Sequence, residues 1–397
     1  MSRIQSCSLS LLLALSSVAY GHGSHQPAPG DPAGRFISFP DGASFKVLTL
    51  DPHTHSVFSD GHVWPYIRVE EALRDGLDAF AVTEHLEYQP HLADIPHPDR
   101  NRSVAEARSS AEATDLIIIA GSEITRDQPV GHINALFVTD ANALVRWPQG
   151  LPQGDVRAHY EAAKAFDAGA ILREARAQEA FVFLNHPHWP AQQSDGLATP
   201  SAFHQSMFDQ GLIQGIEVAN GADYSEEAFA LALENNLTII GTSDIHNLID
   251  WDYPPAEGAH RPVTLVLAED RSEAAIKAAL LERRTVAWFK NLLIGRERDV
   301  EAIVGASISV DEAAYQPGRE LLNVVLRNHS DATFELENRS EYTFMSQGDD
   351  LKLPAHGTLE LVVKTGQRLN AVALPFAVRN ALVAPKTHAQ WVLNLTL

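Results

Sequence analysis

Between residues 46 and 268, short apolar runs recur with helix-period segments between them, and this alternation constrains the fold more than any other feature. The runs read KVLTL, AFAVT, LIIIAGSEI, INALFV, AFVFLNH, GIEVAN, TIIGTSD and VTLVLA. The segments between them include RVEEALRDGL, GAILREARAQ and SEEAFALALENN. A strand that is apolar along its whole length is buried on both faces, so strands alternating with helices predict a parallel sheet or barrel. About seven or eight such units in roughly 250 residues match the size of a (β/α) barrel. A doubly wound open sheet is the rival, but no glycine-rich phosphate loop favours it. From about residue 300 the texture changes. ELLNVVLRNHS, ATFELENRS, LKLPAHGTLELVVKTG and AQWVLNLTL alternate apolar and polar residues between turns, the pattern of a small antiparallel sandwich.

Each upstream run ends in side chains that bind metals. The first is followed by His53, His55 and Asp60, the second by Glu84 and His85. The third contains Glu123, and GHINALFV opens on His132. Asn185 and His186 end a later run, and Asp244 and His246 follow TIIGT. Singly, such an aspartate reads as a helix cap and such a histidine as a solvated loop residue. Their repetition after successive runs predicts one cluster at the C-terminal rim of a barrel, where barrel active sites sit. His53 and His55 suit such a task, because residues two apart on an extended chain face the same side.

Charge and cysteine content narrow the chemistry. A formal net charge of -21 argues against a nucleic-acid surface, but bound cations can still admit a phosphate substrate. Arg3, the apolar stretch LSLLLALSSVA and the small residues Ala19 and Gly21 read as an export leader over 1–21. The single cysteine, Cys7, lies inside it, so the mature chain is expected to have no disulfide and no thiolate ligand. Nitrogen and oxygen donors without sulfur suit Mn, Fe, Zn or Co.

In this order, HTHSVFSDG, VTEH, GSE, GHINAL, NHPH and TSDIH resemble the motifs of the polymerase and histidinol phosphatase (PHP) superfamily. The flanks SDGHVWPYIRVEEALRDGLDAFAVTEHLEYQPH, IPHPDRNRS and RRTVAWFKNLLIGRE look like those of its secreted phosphodiesterases. The resemblance implies an α/β fold, a distorted (β/α)7 TIM-like barrel, over 46–298. A flexible linker over 22–45 would precede it, and a β-sandwich-like accessory domain over 299–397 would follow. It implies two or three divalent metal ions (Mn, Zn or Fe). His53, His55 and Asp244 would hold one, and Glu123 would bridge to a second completed by His132 and His186. Asp60, His85 and His246 would hold a third. The chain departs from the common Thr-Asp-His of the family in having Thr83-Glu84-His85, whose glutamate reaches one methylene further.

The expected function is an exported phosphodiesterase acting on small phosphate esters, with a hydroxide between two cations as nucleophile. Glu123 and Asp244 would serve catalysis through the metals, and Arg261 would hold substrate. Arg126, Lys290, Arg100 and Arg102 are further cationic candidates. Trp64, Tyr66 and Tyr88 are candidate pocket walls, and His62, His91, His97 and His188 are spare histidines that include candidates for a general acid. No nucleic-acid partner and no membrane anchor after leader cleavage are expected, and the location would be periplasmic or secreted. A phosphomonoesterase, an amidohydrolase-like enzyme and a non-catalytic metal-binding protein are the alternatives.

Overall fold

The computed structural model describes residues 36–145, 150–152 and 154–397. The expected leader and residues 22–35 of the linker expected over 22–45 lie outside these. Residues 36–45 are not a flexible tether, because Ile37 and Phe39 are buried in the core and Ile37 N donates to Asp75 O at 2.8 Å. The strands up to residue 295 are β1 Lys46–Asp51, β2 Ala79–Val82, β3 Ile117–Thr125, β4 His132–Leu136, β5 Phe181–Leu184 and β6 Gly215–Asn220. They continue as β7 Asp223–Tyr224, β8 Thr238–Thr242, β9 Val263–Ala268, β10 Thr285–Phe289 and β11 Leu292–Gly295. Helices α1 Pro65–Arg74, α2 Arg102–Ala111, α3 Val156–Lys164, α4 Ala168–Ala177 and α5 Ala202–Asp209 are interleaved with them. So are α6 Glu226–Glu234, α7 Ile249–Asp252 and α8 Glu273–Leu281, and α9 Glu297–Ser307 follows.

β1, β2 and β3 run parallel, as do β5, β6 and β8. β2, β5, β8 and β9 are buried along their whole length, as unbroken apolar runs require. The body is therefore a mixed α/β fold with a parallel-rich sheet. It departs from a uniform β/α repeat in two places. β4 lies antiparallel between β3 and β5, because residues 126–131 are too few for a crossover helix. On the other flank of β1, the pairs β1–β9, β9–β10 and β10–β11 are antiparallel.

β8 pairs along its backbone with β6, and its other edge meets β9 and β10 through side chains. Thr264 Oγ1 donates to Gly241 O at 2.9 Å and accepts from Gly241 N at 3.0 Å. Thr285 Oγ1 donates to Ile239 O at 2.8 Å. A Cβ on residue 241 would stand 2.9 Å from Ala287 Cβ, so this approach needs glycine.

The C-terminal strands are β12 Ile308–Tyr315, β13 Leu321–Asn328, β14 Phe334–Asn338, β15 Thr343–Phe344, β16 Asp350–Leu353, β17 Thr358–Lys364, β18 Ala371–Ala384 and β19 Thr387–Thr396. They form two antiparallel layers, β12-β13-β17-β15 and β16-β14-β18-β19. Leu322, Val324 and Leu326 of β13 share a core with Leu374, Phe376 and Val378 of β18, the alternation that the sequence predicts. This domain is joined to the upstream body by more than a linker. β18 pairs in parallel with β11 through Leu293↔Ala381 and Ile294↔Leu382. α9 spans the boundary expected at 298/299 and contributes Val300, Ile303 and Val304 to the same core.

Candidate metal centre

The fold brings the loops after its parallel strands to one rim. The backbone beyond β1 bridges the loop after β8 through Thr54↔Ile245, which sets His53 and His55 beside Asp244 and His246. α1 supplies the buried Arg68, whose guanidinium donates to His55 O at 2.9 Å, Asn247 O at 2.6 Å and Ile245 O at 3.3 Å. The β3–β4 register opposes Thr125 to His132 and Glu123 to Asn134, so Glu123 and His132 share one face. His186 (φ 24°) and Asp244 (φ 52°) adopt a region uncommon for residues other than glycine, at a cost of about 1–3 kcal/mol each. Backbone bonds hold both turns: His186 N donates to Glu217 Oε2 at 2.6 Å and Asp244 N to His53 O at 3.0 Å.

The donor atoms converge. His53 Nε2 and His55 Nε2 are 2.9 Å apart, and Asp244 Oδ1 is 3.1 Å from each. Donors bonded to one cation at about 2.1 Å stand roughly 3.0–3.4 Å from each other, so this triangle has the right size. Glu123 lies at the middle. Its Oε1 is 3.1 Å from His132 Nδ1 and 3.6 Å from both His53 Nε2 and His186 Nε2, and its Oε2 contacts His85 Nδ1. Asp60 Oδ1 is 3.1 Å from His246 Nε2 and 3.3 Å from His85 Nε2.

The residues fit divalent cations on a further ground. Asp60 Oδ1 and Glu123 Oε2 are buried oxygens with no hydrogen-bond partner, although imidazole nitrogens surround them. A buried orphan carboxylate oxygen is costly without a cation. The groups able to hold an ion are His55, Asp60, His85 and His246; His53, His55 and Glu123; and His85, Glu123 and His132.

An outer layer orients these groups. His53 Nδ1 donates to Glu217 Oε1 at 2.8 Å, and Glu217 also accepts from Thr242 Oγ1 and Asn220 Nδ2, each at 2.9 Å. Asn185 Nδ2 donates to Glu123 Oε1 at 2.7 Å. Glu84 accepts from the hydroxyls of Ser56 and Ser59 and from Ser56 N, and Ser59 Oγ is 3.2 Å from His55 Nδ1. The extra methylene of this glutamate thus reaches the first loop.

Charge on these groups is strongly perturbed. Burial works against a proton on His53, but the Asp244, Glu217 and Glu123 carboxylates outweigh it and raise the imidazole to about 10. Burial and the neighbouring His246 and His85 push His55 down to about 3. Despite burial, the surrounding imidazoles hold Glu123, Asp244 and Asp60 well below the usual carboxylate range. Without metal, a proton on His53 Nε2 donated to neutral His55 fits the 2.9 Å contact. A cation binding there must displace it. Metal affinity should therefore rise with pH below about 10, by about tenfold per pH unit for each displaced proton. Glu217→Gln should weaken affinity by roughly 10–100-fold and reduce proton release, because His53 loses its carboxylate partner. Calorimetric Mn²⁺ or Zn²⁺ titrations in buffers of different ionisation enthalpy check both, and pH-independent affinity would contradict the first.

Of the other sequence candidates, few reach the cluster. Arg261 does not: its guanidinium is buried and paired with Asp51 at 3.1 Å and Asp75 at 2.9 Å. β9 runs antiparallel to β1, which brings Arg261 up to Asp51 underneath the His53 loop, so the expectation that it holds substrate is corrected. Arg126 is buried against Glu87 and the carbonyls of Ala163 and Lys164. Lys290 lines a separate pocket near Trp288 and Thr333, and Arg100 a small polar cavity beside Glu84 and His97. Arg102 pairs with Glu106 and stacks over Phe58. His62, His91, His97 and His188 are not among the residues lining the cleft over the cluster, and neither are Trp64 and Tyr66. That cleft, about 640 Å³, is walled by Tyr88, Tyr160, Trp189, Gln192 and Asn220 around the cluster. Sequence reasoning missed Glu217, Arg68, Tyr160 and Trp189. A glutamate inside the apolar run GIEVAN was the one available signal.

Residues 308–394 match a family described as an Ig-like domain. No curated protein matches the chain. Among solved structures, a two-domain protein of Bacteroides vulgatus containing a predicted PHP-like metal-dependent phosphoesterase is 37% identical. The match covers 92% of this chain and 100% of that one, with a TM-score of 0.79. A metal-dependent phosphoesterase candidate from Bifidobacterium adolescentis is 18% identical over 59% of this chain and 96% of that one, with a TM-score of 0.38. A lesion-specific endonuclease of Pyrococcus furiosus is 14% identical over 63% and 59%, with a TM-score of 0.36. The last two are too distant to carry an argument. At 37% identity over 92% of this chain, the first shows that the chain belongs to the PHP-like metal-dependent phosphoesterases.

Proposed function

We propose that the chain is an exported phosphodiesterase that hydrolyses P–O bonds of small organophosphate diesters. The observation that carries this reading is the cleft wall, in which no lysine or arginine appears among the described residues. A monoester carries a charge of about -1.5 to -2 near neutral pH, whereas a diester keeps one. A monoesterase pocket gains from guanidinium or ammonium groups on the extra charge. Here Arg126 and Arg261 are paired with carboxylates outside the cleft lining, Lys290 and Arg100 line other pockets, and aromatic rings and amides wall the cleft.

His53, His55 and Asp244 would hold one cation, Glu123, His132 and His186 a second, and Asp60, His85 and His246 a third. When bound, such cations (two or three of Mn, Zn or Fe) neutralise phosphoryl oxygens and acidify water. The chain's own share is to orient those groups: Glu217 fixes the His53 ring, Asn185 fixes Glu123, and the Glu84–Ser59 pair steadies His55. The contact of β8 with β9 and β10 supports reading the sheet as a distorted (β/α)7 barrel with the cluster at its rim. The residues that read as a leader support export.

The test compares metal-loaded enzyme on bis(p-nitrophenyl) phosphate and p-nitrophenyl phosphate. Diester kcat/KM is expected to be at least about tenfold higher, equivalent to about 1.4 kcal/mol. A preference for the monoester overturns the reading.

A further inference from the structure

Two aromatic rings stay open to solvent inside the cleft. Tyr88 is 39% exposed and Trp189 44% exposed. Each packs against the imidazoles of the candidate centre. Tyr88 meets His85 at 6.0 Å between ring centroids, and Trp189 meets His132 at 5.7 Å and His186 at 5.3 Å. Large rings left open beside a polar cluster do nothing for the core, which is buried elsewhere.

Both rings are braced. Tyr160 packs edge-on against Tyr88 at 6.0 Å and 78°. Lys164 lies 4.7 Å over the Tyr160 ring and pairs with Asp127 at 2.5 Å, so its charge is already engaged. Trp189 N donates to His186 O at 2.9 Å, and Gln192 N donates to Trp189 O at 2.9 Å. The Gln192 side chain donates to Arg126 O at 3.0 Å, anchoring that turn. Rigid, pre-positioned aromatics lose little entropy on binding and favour planar, weakly polar partners.

We propose that Tyr88, Tyr160 and Trp189 form a subsite for a planar aromatic ester group, so that the substrates are diesters with at least one aryl or nucleobase-bearing arm. This rests on the diesterase reading and names its substrate class. Stacking acts on the ester arm while the phosphoryl group lies at the cluster, so the subsite raises kcat/KM without entering bond cleavage.

The test uses three diesters with the same p-nitrophenolate leaving group and methyl, phenyl or thymidine 5′ as the retained arm. With metal-loaded enzyme, an aromatic arm is expected to raise kcat/KM about tenfold over methyl. A gain confined to phenyl assigns an aryl ester, and a gain confined to thymidine assigns a nucleoside. Trp189→Ala should bring the ratio close to one and Trp189→Phe should largely keep it, while Tyr66→Ala, outside the cleft, should leave it unchanged. Equal rates on all three diesters, or an unchanged ratio in Trp189→Ala, overturn the subsite. If no diester turns over but p-nitrophenyl phosphate does, the diesterase reading fails instead. Inhibition of that reaction then decides the subsite: phenylphosphonate stronger than methylphosphonate supports it, and equal inhibition overturns it.

Discussion

Replacing Glu123 with alanine should lower phosphoester kcat/KM by about a thousandfold or more, roughly 4 kcal/mol of transition-state stabilisation. This carboxylate stands 3.1–3.7 Å from His132, His53, His186 and His55, and it also contacts His85. No other side chain in the cluster is shared by so many donors. Its loss opens the geometry of more than one ion and removes the negative charge that lets buried imidazoles sit together. Metal content should fall with activity, as read by elemental analysis of the purified variant. Glu123→Gln separates the two contributions, since it keeps shape and loses charge. Full activity in either variant would mean that the cluster is not the reacting centre.

Arg261→Met should cost about 3–5 kcal/mol of folding stability, because it leaves the Asp51 and Asp75 carboxylates buried without their cation. Urea denaturation of the metal-free protein measures this directly. Activity should also drop, by an indirect route. Asp51 accepts from Ser243 N at 3.1 Å and Ser243 Oγ at 2.6 Å, and Ser243 precedes Asp244 in a turn with positive φ. A substrate-binding arginine would give the opposite pattern, with KM raised and stability nearly unchanged. Wild-type stability in Arg261→Met would mean that its pairing with Asp51 and Asp75 contributes nothing to the fold.

Much of the cluster was legible because its signal is local. A ligand at the end of an apolar run lies at the rim of whatever parallel sheet forms, so His53, His55, Glu123, His186 and Asp244 could be named without knowing the topology. The alternation after residue 300 was legible for the same reason, since Leu322, Val324 and Leu326 declare an inward face by spacing alone. Arg261 and Glu217 were not legible, because their roles depend on pairing. Arg261 precedes a strand much as a substrate contact would, yet antiparallel β9 turns it towards Asp51. Glu217 looks like an interruption of a strand until β6 and the loop after β1 bring it to His53.

The sequence by itself determined which residue types recur after which strands, and therefore the nitrogen and oxygen donor set and its suitability for divalent cations. Those are properties of spacing along the chain. The tertiary structure decided which donors face each other, that Arg126 and Arg261 are paired with carboxylates outside the cleft lining, and that Tyr88, Tyr160 and Trp189 wall it. It also decided that the Ig-like domain shares a sheet with the catalytic body through β11 and β18. These are properties of contacts between segments distant in sequence. Sheet order and register set them, and no local pattern carries that information.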